Sequence, residues 1–309
     1  MAGAFTHFII CDVAKRKRSV TDPVLRKLLN KHSEFLFLGA ASPDLPYLSF
    51  KTGDINWADV MHYEKTNGIA INGHNELKKV WVSKQTADEI RLVWLLGFIS
   101  HLVADATIHP IVQAIVGPYD KNKTEHRICE MTQDALIYSE RKKTDIRYAE
   151  FSSALKFCNK SEHFNNLMDF WIEIGVKTYP DKNAEPNPKL WFTTYSEVID
   201  AAEGGAGIVA LFRHLGIGSG FIYKTKDEII SKFPQEYEKY YTKAKLPDGS
   251  ISSFLNNGFD KAVDNVIDAW NKLYAGLPAT INVASLIKNW NLDTGVDMDS
   301  PDKMVTYWV

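Results

Sequence analysis

Cysteine is nearly missing from this chain: Cys11, Cys129 and Cys158 are the only three in 309 residues. An odd, scattered set without a CxxC pair excludes a disulfide framework and a thiolate zinc site, and suits a reducing compartment. A charge excess is missing as well. Lys and Arg number 36 and Asp and Glu 38, so a net charge of −2 leaves no global basic field, and nucleic acid or anionic lipid would have to bind locally. No repeat and no low-complexity tract is visible. No Sec-type signal is legible either, because the apolar stretch Phe5 to Ile10 precedes the basic run Lys15 to Arg18, the reverse of the secretory order. The expected location is cytoplasmic, or outside the cell by a route without a Sec signal peptide. What is present, 45% hydrophobic and 24% charged residues, is the balance of a soluble globular protein with a large core.

Strand-like alternation is absent. Apolar residues recur at three- and four-residue spacing over Phe5 to Val13, Val24 to Leu29, Asp88 to His109, Glu125 to Tyr138, Phe164 to Val176, Tyr195 to Leu215, Asp227 to Tyr240 and Phe259 to Tyr274. The fold class is therefore all-α, a multi-helix bundle. Pro180 to Pro188 is the best linker candidate, dividing residues 1–180 from a helical region 189–309 expected to pack on the first part as one domain. Leu92 to Val116 is apolar enough to suggest a membrane span, yet it holds His101, Asp105 and His109. An Asp at mid-membrane costs roughly 2.5–3.5 kcal/mol on insertion scales, so a buried helix is the better reading. Pro110 should end or bend that helix at His109. Gly204 to Tyr223, apolar and glycine-rich, reads as a packed core helix ahead of a membrane-docking segment, and Lys15 to Arg18 as a solvated helix end.

Histidine carries the chemical signal, with seven of nine in the first 126 residues. His101 with Asp105 and His126 with Glu130 each place an imidazole and a carboxylate at i and i+4, one turn apart on one helix face, where both can converge on one point. An exposed salt bridge is the ordinary reading of such a pair. Around His101, however, stand Leu96, Gly97, Phe98, Ile99, Leu102, Val103 and Ala104, a setting too dry for an uncompensated charge. A metal supplies the compensation. Imidazole and carboxylate without thiolate suit zinc best, with manganese or iron behind it.

The segments Gly3-Ala-Phe-Thr-His7, Leu38-Gly-Ala-Ala-Ser-Pro-Asp44, Val60-Met-His62, Leu96 to His109 and His126-Arg-Ile-Cys-Glu130 resemble, in order, the zinc-dependent phospholipase C family. The resemblance covers roughly residues 3–140. It implies an all-helical fold with a buried multinuclear zinc site, distantly related to the single-strand-specific zinc nucleases. By that resemblance Asp44, His62, His101 and Asp105 line one zinc site, His109, His126 and Glu130 a second, and His7 with a shared Asp105 a third. In the family an amino-terminal Trp completes the third site; here the amine and carbonyl of Ala2 would do so if Met1 is excised, and otherwise two zinc ions are expected in place of three. The His101-x3-Asp105-x3-His109 spacing is similar to that of glycosylphosphatidylinositol-specific phospholipase D, and Glu130 stands where the nucleases tend to have Asp.

The resemblance implies a phosphodiesterase that hydrolyses phospholipids by attack of metal-activated water on phosphorus, with Asp44 as ligand or general base and with peripheral membrane contact. No stable nucleic-acid binding is expected. Two alternatives stand beside it: a zinc-dependent single-strand nuclease, and a metal-stabilised scaffold or membrane-binding protein without catalysis. His74 and Asp134 are candidates for orienting a ligand imidazole. His32, His163 and His214 read as structural, and residues from Pro188 to Val309 carry no legible chemical motif.

Overall fold

The computed structural model describes residues 3–49, 51–149, 151–182, 184–201, 223–279 and 281–308. In chain order its helices are α1 (Ala4–Ala14), α2 (Pro23–Lys31), α3 (Ser33–Ala41), α4 (Thr52–Tyr63), α5 (Gly68–Val80), α6 (Thr86–Val116), α7 (Lys123–Lys142), α8 (Phe151–Lys156), α9 (Phe164–Thr178) and α10 (Pro188–Ala201). Four more follow: α11 (Lys226–Lys232), α12 (Pro234–Tyr237), α13 (Asp260–Ala275) and α14 (Val283–Leu286). Among the described residues, strands are confined to two short antiparallel hairpins, β1 (Ala244–Lys245) with β2 (Ile251–Ser252) and β3 (Trp290–Asn291) with β4 (Val296–Asp297). The fold is all-α, as the periodicity predicts.

Helix α6 is the axis. Every residue from Leu92 to Val112 is buried, which is what a helix apolar on all sides requires when no membrane surrounds it. The Gln85 and Asp88 side chains close a reciprocal capping box at its start, and Gly117, at φ 89°, ends it. The expected stop at His109 is not found: the helix continues through Pro110 to Val116. An interior proline costs about 3 kcal/mol or more, and here the burial of Ile108, Pro110, Ile111 and Val112 on both sides of it offsets that penalty.

Helices α3 and α6 cross with their backbones in near contact. A Cβ on Gly39 would stand 2.0 Å from the Trp94 carbonyl oxygen, and one on Gly97 would stand 2.1 Å from that of Leu36. Only glycine permits this approach. The sequence pattern does not reveal α3, because Phe35 to Ala41 are buried without interruption and no amphipathic period marks them. Helices α4 and α5 also escape it. The helix expected over Asp227 to Tyr240 is interrupted at Phe233-Pro234, where proline removes the next amide donor and restricts the residue before it.

One continuous apolar core runs from Phe5 in α1 to Leu292 beyond β3, with Trp94, Trp171, Trp191, Trp270 and Trp290 among its fully buried side chains. The helix expected over Tyr195 to Leu215 is described from Pro188 to Ala201. Of the segment Gly204 to Tyr223, residues 204–222 lie outside the described residues. Tyr223 itself is buried. The basic run is held by internal ion pairs: Lys15 at 3.6 Å and Arg16 at 2.7 Å from Asp12, and Lys17 at 2.8 Å from Asp264.

Candidate metal centre

Five elements deliver all but one of the candidate side chains to one place. Helix α1 brings His7, the turn after α3 brings Asp44, the last turn of α4 brings His62, α6 brings His101, Asp105 and His109 on one face, and α7 brings Glu130. Asp105 lies in the middle. Its Oδ2 is 3.1 Å from His101 Nε2, and its Oδ1 is 3.3 Å from His7 Nε2 and 3.5 Å from His109 Nε2. Asp44 Oδ1 lies 3.2 Å from His62 Nε2 and 3.9 Å from His101 Nε2, and Glu130 Oε1 lies 4.0 Å from His109 Nε2. Two groups, His7 with His101 and Asp105, and Asp44 with His62 and His101, hold their ligand atoms within 4.8 Å of one another. His101 belongs to both groups, and its ring stacks on that of His7 at 4.0 Å with 7° between the planes.

The imidazoles are aimed from behind. Nδ1 of His62 donates to the Ala58 carbonyl at 2.8 Å, Nδ1 of His101 donates to that of Ala40 at 2.8 Å, and Nδ1 of His109 donates to the Leu292 carbonyl. A ring nitrogen that donates to a carbonyl fixes the tautomer and leaves the other nitrogen as a lone-pair donor. In each case that nitrogen is Nε2, and it faces the carboxylates. Nε2 of His62, His101 and His109, both ring nitrogens of His7, and Asp44 Oδ1 are buried without a hydrogen-bond partner. Leaving a buried polar atom unsatisfied costs about 1–3 kcal/mol. Four converging imidazoles left in this condition, beside carboxylates, are a donor set waiting for a divalent cation. The set fits zinc, which accepts nitrogen and oxygen together.

Electrostatics agree with the geometry. Burial lowers the His109 pKa to about 4, so the ring is a neutral ligand at pH 7. Burial by itself would raise Asp44 and Asp105, but the surrounding imidazoles outweigh it: His101, His62 and His7 hold Asp44 below the ordinary carboxylate range, and His109, His101 and His7 hold Asp105 well below it. Glu130 goes the other way, pushed up to about 7 chiefly by burial. Asp44, with 22% of its side chain exposed, and Glu130, with 10%, are more open than His62, His101, Asp105 and His109 beside them.

Other candidates fall elsewhere. His126 directs Nε2 to the Gly117 carbonyl at 2.6 Å and packs edge-on against Tyr119, outside both groups, which leaves Nδ1 as the atom it could offer. His74 is not an orienting partner: its Nε2 lies 3.1 Å from the Leu273 carbonyl, far along the chain from any ligand. Asp134 orients no imidazole either. It accepts from the amides of Phe5 and Thr6 at 3.3 and 2.8 Å, from Thr6 Oγ1 at 2.6 Å and from the Tyr223 hydroxyl at 2.7 Å. Those amides open α1, which has no side-chain cap of its own, so Asp134 serves as the cap and sets the turn that carries His7. Gly3 permits this, since a Cβ there would lie 2.2 Å from the Asp134 carboxylate. The Ala2 amine proposed as a ligand lies outside the described residues. The backbone carbonyls of Ala40, Ala58 and Leu292 carry no signal in a sequence; only Gly39 and Gly97, one inside each matching segment, hint at the close crossing that brings the first of them to His101.

An all-α fold with a buried cluster of imidazole and carboxylate donors is the framework of a metal-binding protein. The family of zinc dependent phospholipase C matches residues 6–182, and the chain belongs to that family, whose members are zinc enzymes that hydrolyse phospholipids. The matched span contains all eight candidate ligands. No curated protein and no solved structure matches the chain.

Proposed function

We propose that this protein is a zinc-dependent phosphodiesterase that cleaves phospholipids in the phospholipase C sense, holding two zinc ions, or three if the Ala2 amine joins. One observation carries the reading: Nε2 of His62, His101 and His109 is buried, aimed and unpartnered around Asp44 and Asp105, and both nitrogens of His7 are buried and unpartnered beside them. His62, His101, Asp44 and Asp105 would hold one ion, and His109, Glu130 and His126 another, with His7 adding to Asp105. Zinc bound here supplies Lewis acidity, bringing the pKa of water toward about 7 and drawing charge off phosphoryl oxygens.

The chain's own residues do the rest. Asp44 is anionic, since its imidazole neighbours outweigh its burial, and it is the most open carboxylate of the set. It would accept a proton from the attacking water and turn the water's oxygen toward phosphorus; as that oxygen bonds to phosphorus, the bond from phosphorus to the glycerol oxygen breaks and the proton passes to the leaving alkoxide. The peptide carbonyls behind His62, His101 and His109 keep the three rings from rotating, so little reorganisation accompanies the change of charge. A scaffold kept only for folding would not need a partly exposed carboxylate at the edge of the donor set. The net charge of −2 and the presence of Glu130 favour phospholipid over single-stranded nucleic acid. Three buried thiols suit a reducing compartment.

The test is turnover of a choline-phosphate chromogenic substrate and of phospholipid vesicles, with single-stranded DNA in parallel. Phospholipid hydrolysis that a chelator abolishes and zinc restores is the expected result. Digestion of DNA alone would assign the nuclease, and chelator-induced loss of helix with neither activity would assign a scaffold.

A further inference from the structure

The family match ends at residue 182, yet the metal centre does not. A strap from Ile287 to Asp297, more than a hundred residues beyond that boundary, lies along the elements that carry His62 and His109. The Leu292 amide donates to the His62 carbonyl at 3.0 Å, and the Leu292 carbonyl accepts from His109 Nδ1. One residue thus bonds to both ligand-bearing helices, beside the edge-on contact of the His62 and His101 rings at 5.5 Å. Its neighbours hold it there. Thr66 donates its amide to Asn289 Oδ1 at 3.1 Å and its hydroxyl to the Trp290 carbonyl at 2.8 Å; Asn67 reaches the Ile287 carbonyl at 3.0 Å. The Tyr63 hydroxyl donates to Asp293 Oδ2 at 2.9 Å, and Gln113 Nε2 to the Asp293 carbonyl at 2.7 Å.

The seat on α6 is shaped for it. Pro110 has no amide to offer the Ala106 carbonyl four residues earlier, and at that gap the strap presents Gly295, at φ 67°. A Cβ there would stand 2.7 Å from the Ala106 carbonyl oxygen and 2.6 Å from Pro110 Cγ. Glycine is demanded twice, by the left-handed backbone and by the contact.

We infer that the C-terminal strap is a positioning element of the metal centre, in which the Leu292 peptide sets the tautomer and aim of His109 and locks it to the helix of His62. The inference rests on the zinc reading above. Partners behind a ligating imidazole typically contribute 10- to 100-fold to metal affinity, so displacing the strap should weaken zinc binding by about that factor.

The experiment compares Gly295→Ala with the unaltered full-length chain. Zinc affinity is read by competition with a chromogenic chelator, thermal midpoints are read with and without zinc, and the His109 ring nitrogens are followed by long-range proton–nitrogen NMR. In Gly295→Ala, affinity for one zinc equivalent should fall about 10- to 100-fold, the gap between loaded and metal-free midpoints should narrow, and the protonated Nδ1 signal of His109 should be lost or averaged. Equal lowering of both midpoints with unchanged zinc affinity would overturn the inference and leave the strap a packing element. If Gly295→Ala does not fold, Thr66→Val, which removes the uncharged hydroxyl bond to the Trp290 carbonyl, should still lower affinity several-fold; an unchanged affinity there overturns the inference as well. Failure of the unaltered protein to bind zinc at all would instead sink the reading on which the inference depends.

Discussion

At the residue scale, the decisive atoms are nitrogens held by one neighbour and denied another. Asp105 is the centre of this arrangement, within 3.1–3.5 Å of three imidazoles. Asp105→Asn keeps the shape and removes the charge, so zinc retention and phosphodiesterase activity should disappear together. Elemental analysis beside an activity assay checks this, and an active zinc-free variant would contradict it. Glu130 gives a pH prediction. With its pKa raised from 4.5 to about 7, the metal-free carboxyl is protonated below neutrality and must release that proton to bind a cation. Zinc affinity should therefore decline as pH falls below about 7, and binding at pH 6 should release more protons than binding at pH 8. Titration calorimetry in buffers of different ionisation enthalpy measures the difference, and Glu130→Gln should abolish it.

At the element scale, the α3–α6 crossing places the Ala40 carbonyl behind His101 and swings Asp44 over it. The contact depends on Gly39 and Gly97 meeting backbone that cannot move aside. Gly97→Ala should cost about 1–3 kcal/mol or more through overpacking, read as a lower urea midpoint, with zinc lost at the same time. Gly53 near the start of α4 has nothing within 4 Å of an added Cβ. Gly53→Ala is the control, expected to be neutral or stabilising by up to about 1 kcal/mol on helix propensity. Equal effects at the two positions would mean that propensity, and not the close crossing, governs this region.

At the scale of the whole molecule, the metal centre links stretches that lie far apart in the chain, from His7 to Leu292. Metal binding is accordingly folding free energy. Zinc held at a free concentration of about 1,000 times its dissociation constant should add about 4 kcal/mol per site, and chelation should lower the thermal midpoint by roughly 10 °C. Differential scanning calorimetry with and without chelator checks this, and coincident midpoints would show that the fold is indifferent to the metal.

The amphipathic helices, the buried character of α6 and the candidate donors on α6 and α7 were legible in the sequence, because each is encoded within a few neighbouring residues: a 3.6-residue period, an ionisable triad inside an apolar run, an imidazole and a carboxylate one turn apart; His7, Asp44 and His62 were reached only through the family resemblance. Helix α3 was not legible, since a helix buried on every side shows no period. Nor was the persistence of α6 through Pro110, which depends on packing supplied by distant chain. Asp134 announced itself only as an acid near Glu130; its work as the cap of α1 needed the two helices in contact. The sequence by itself determined where imidazoles and carboxylates stand along the chain. The tertiary structure alone decided which nitrogen of each ring faces the metal, because that depends on where the carbonyls of Ala40, Ala58 and Leu292 fall, and a backbone carbonyl looks the same in every residue until the fold gives it a position.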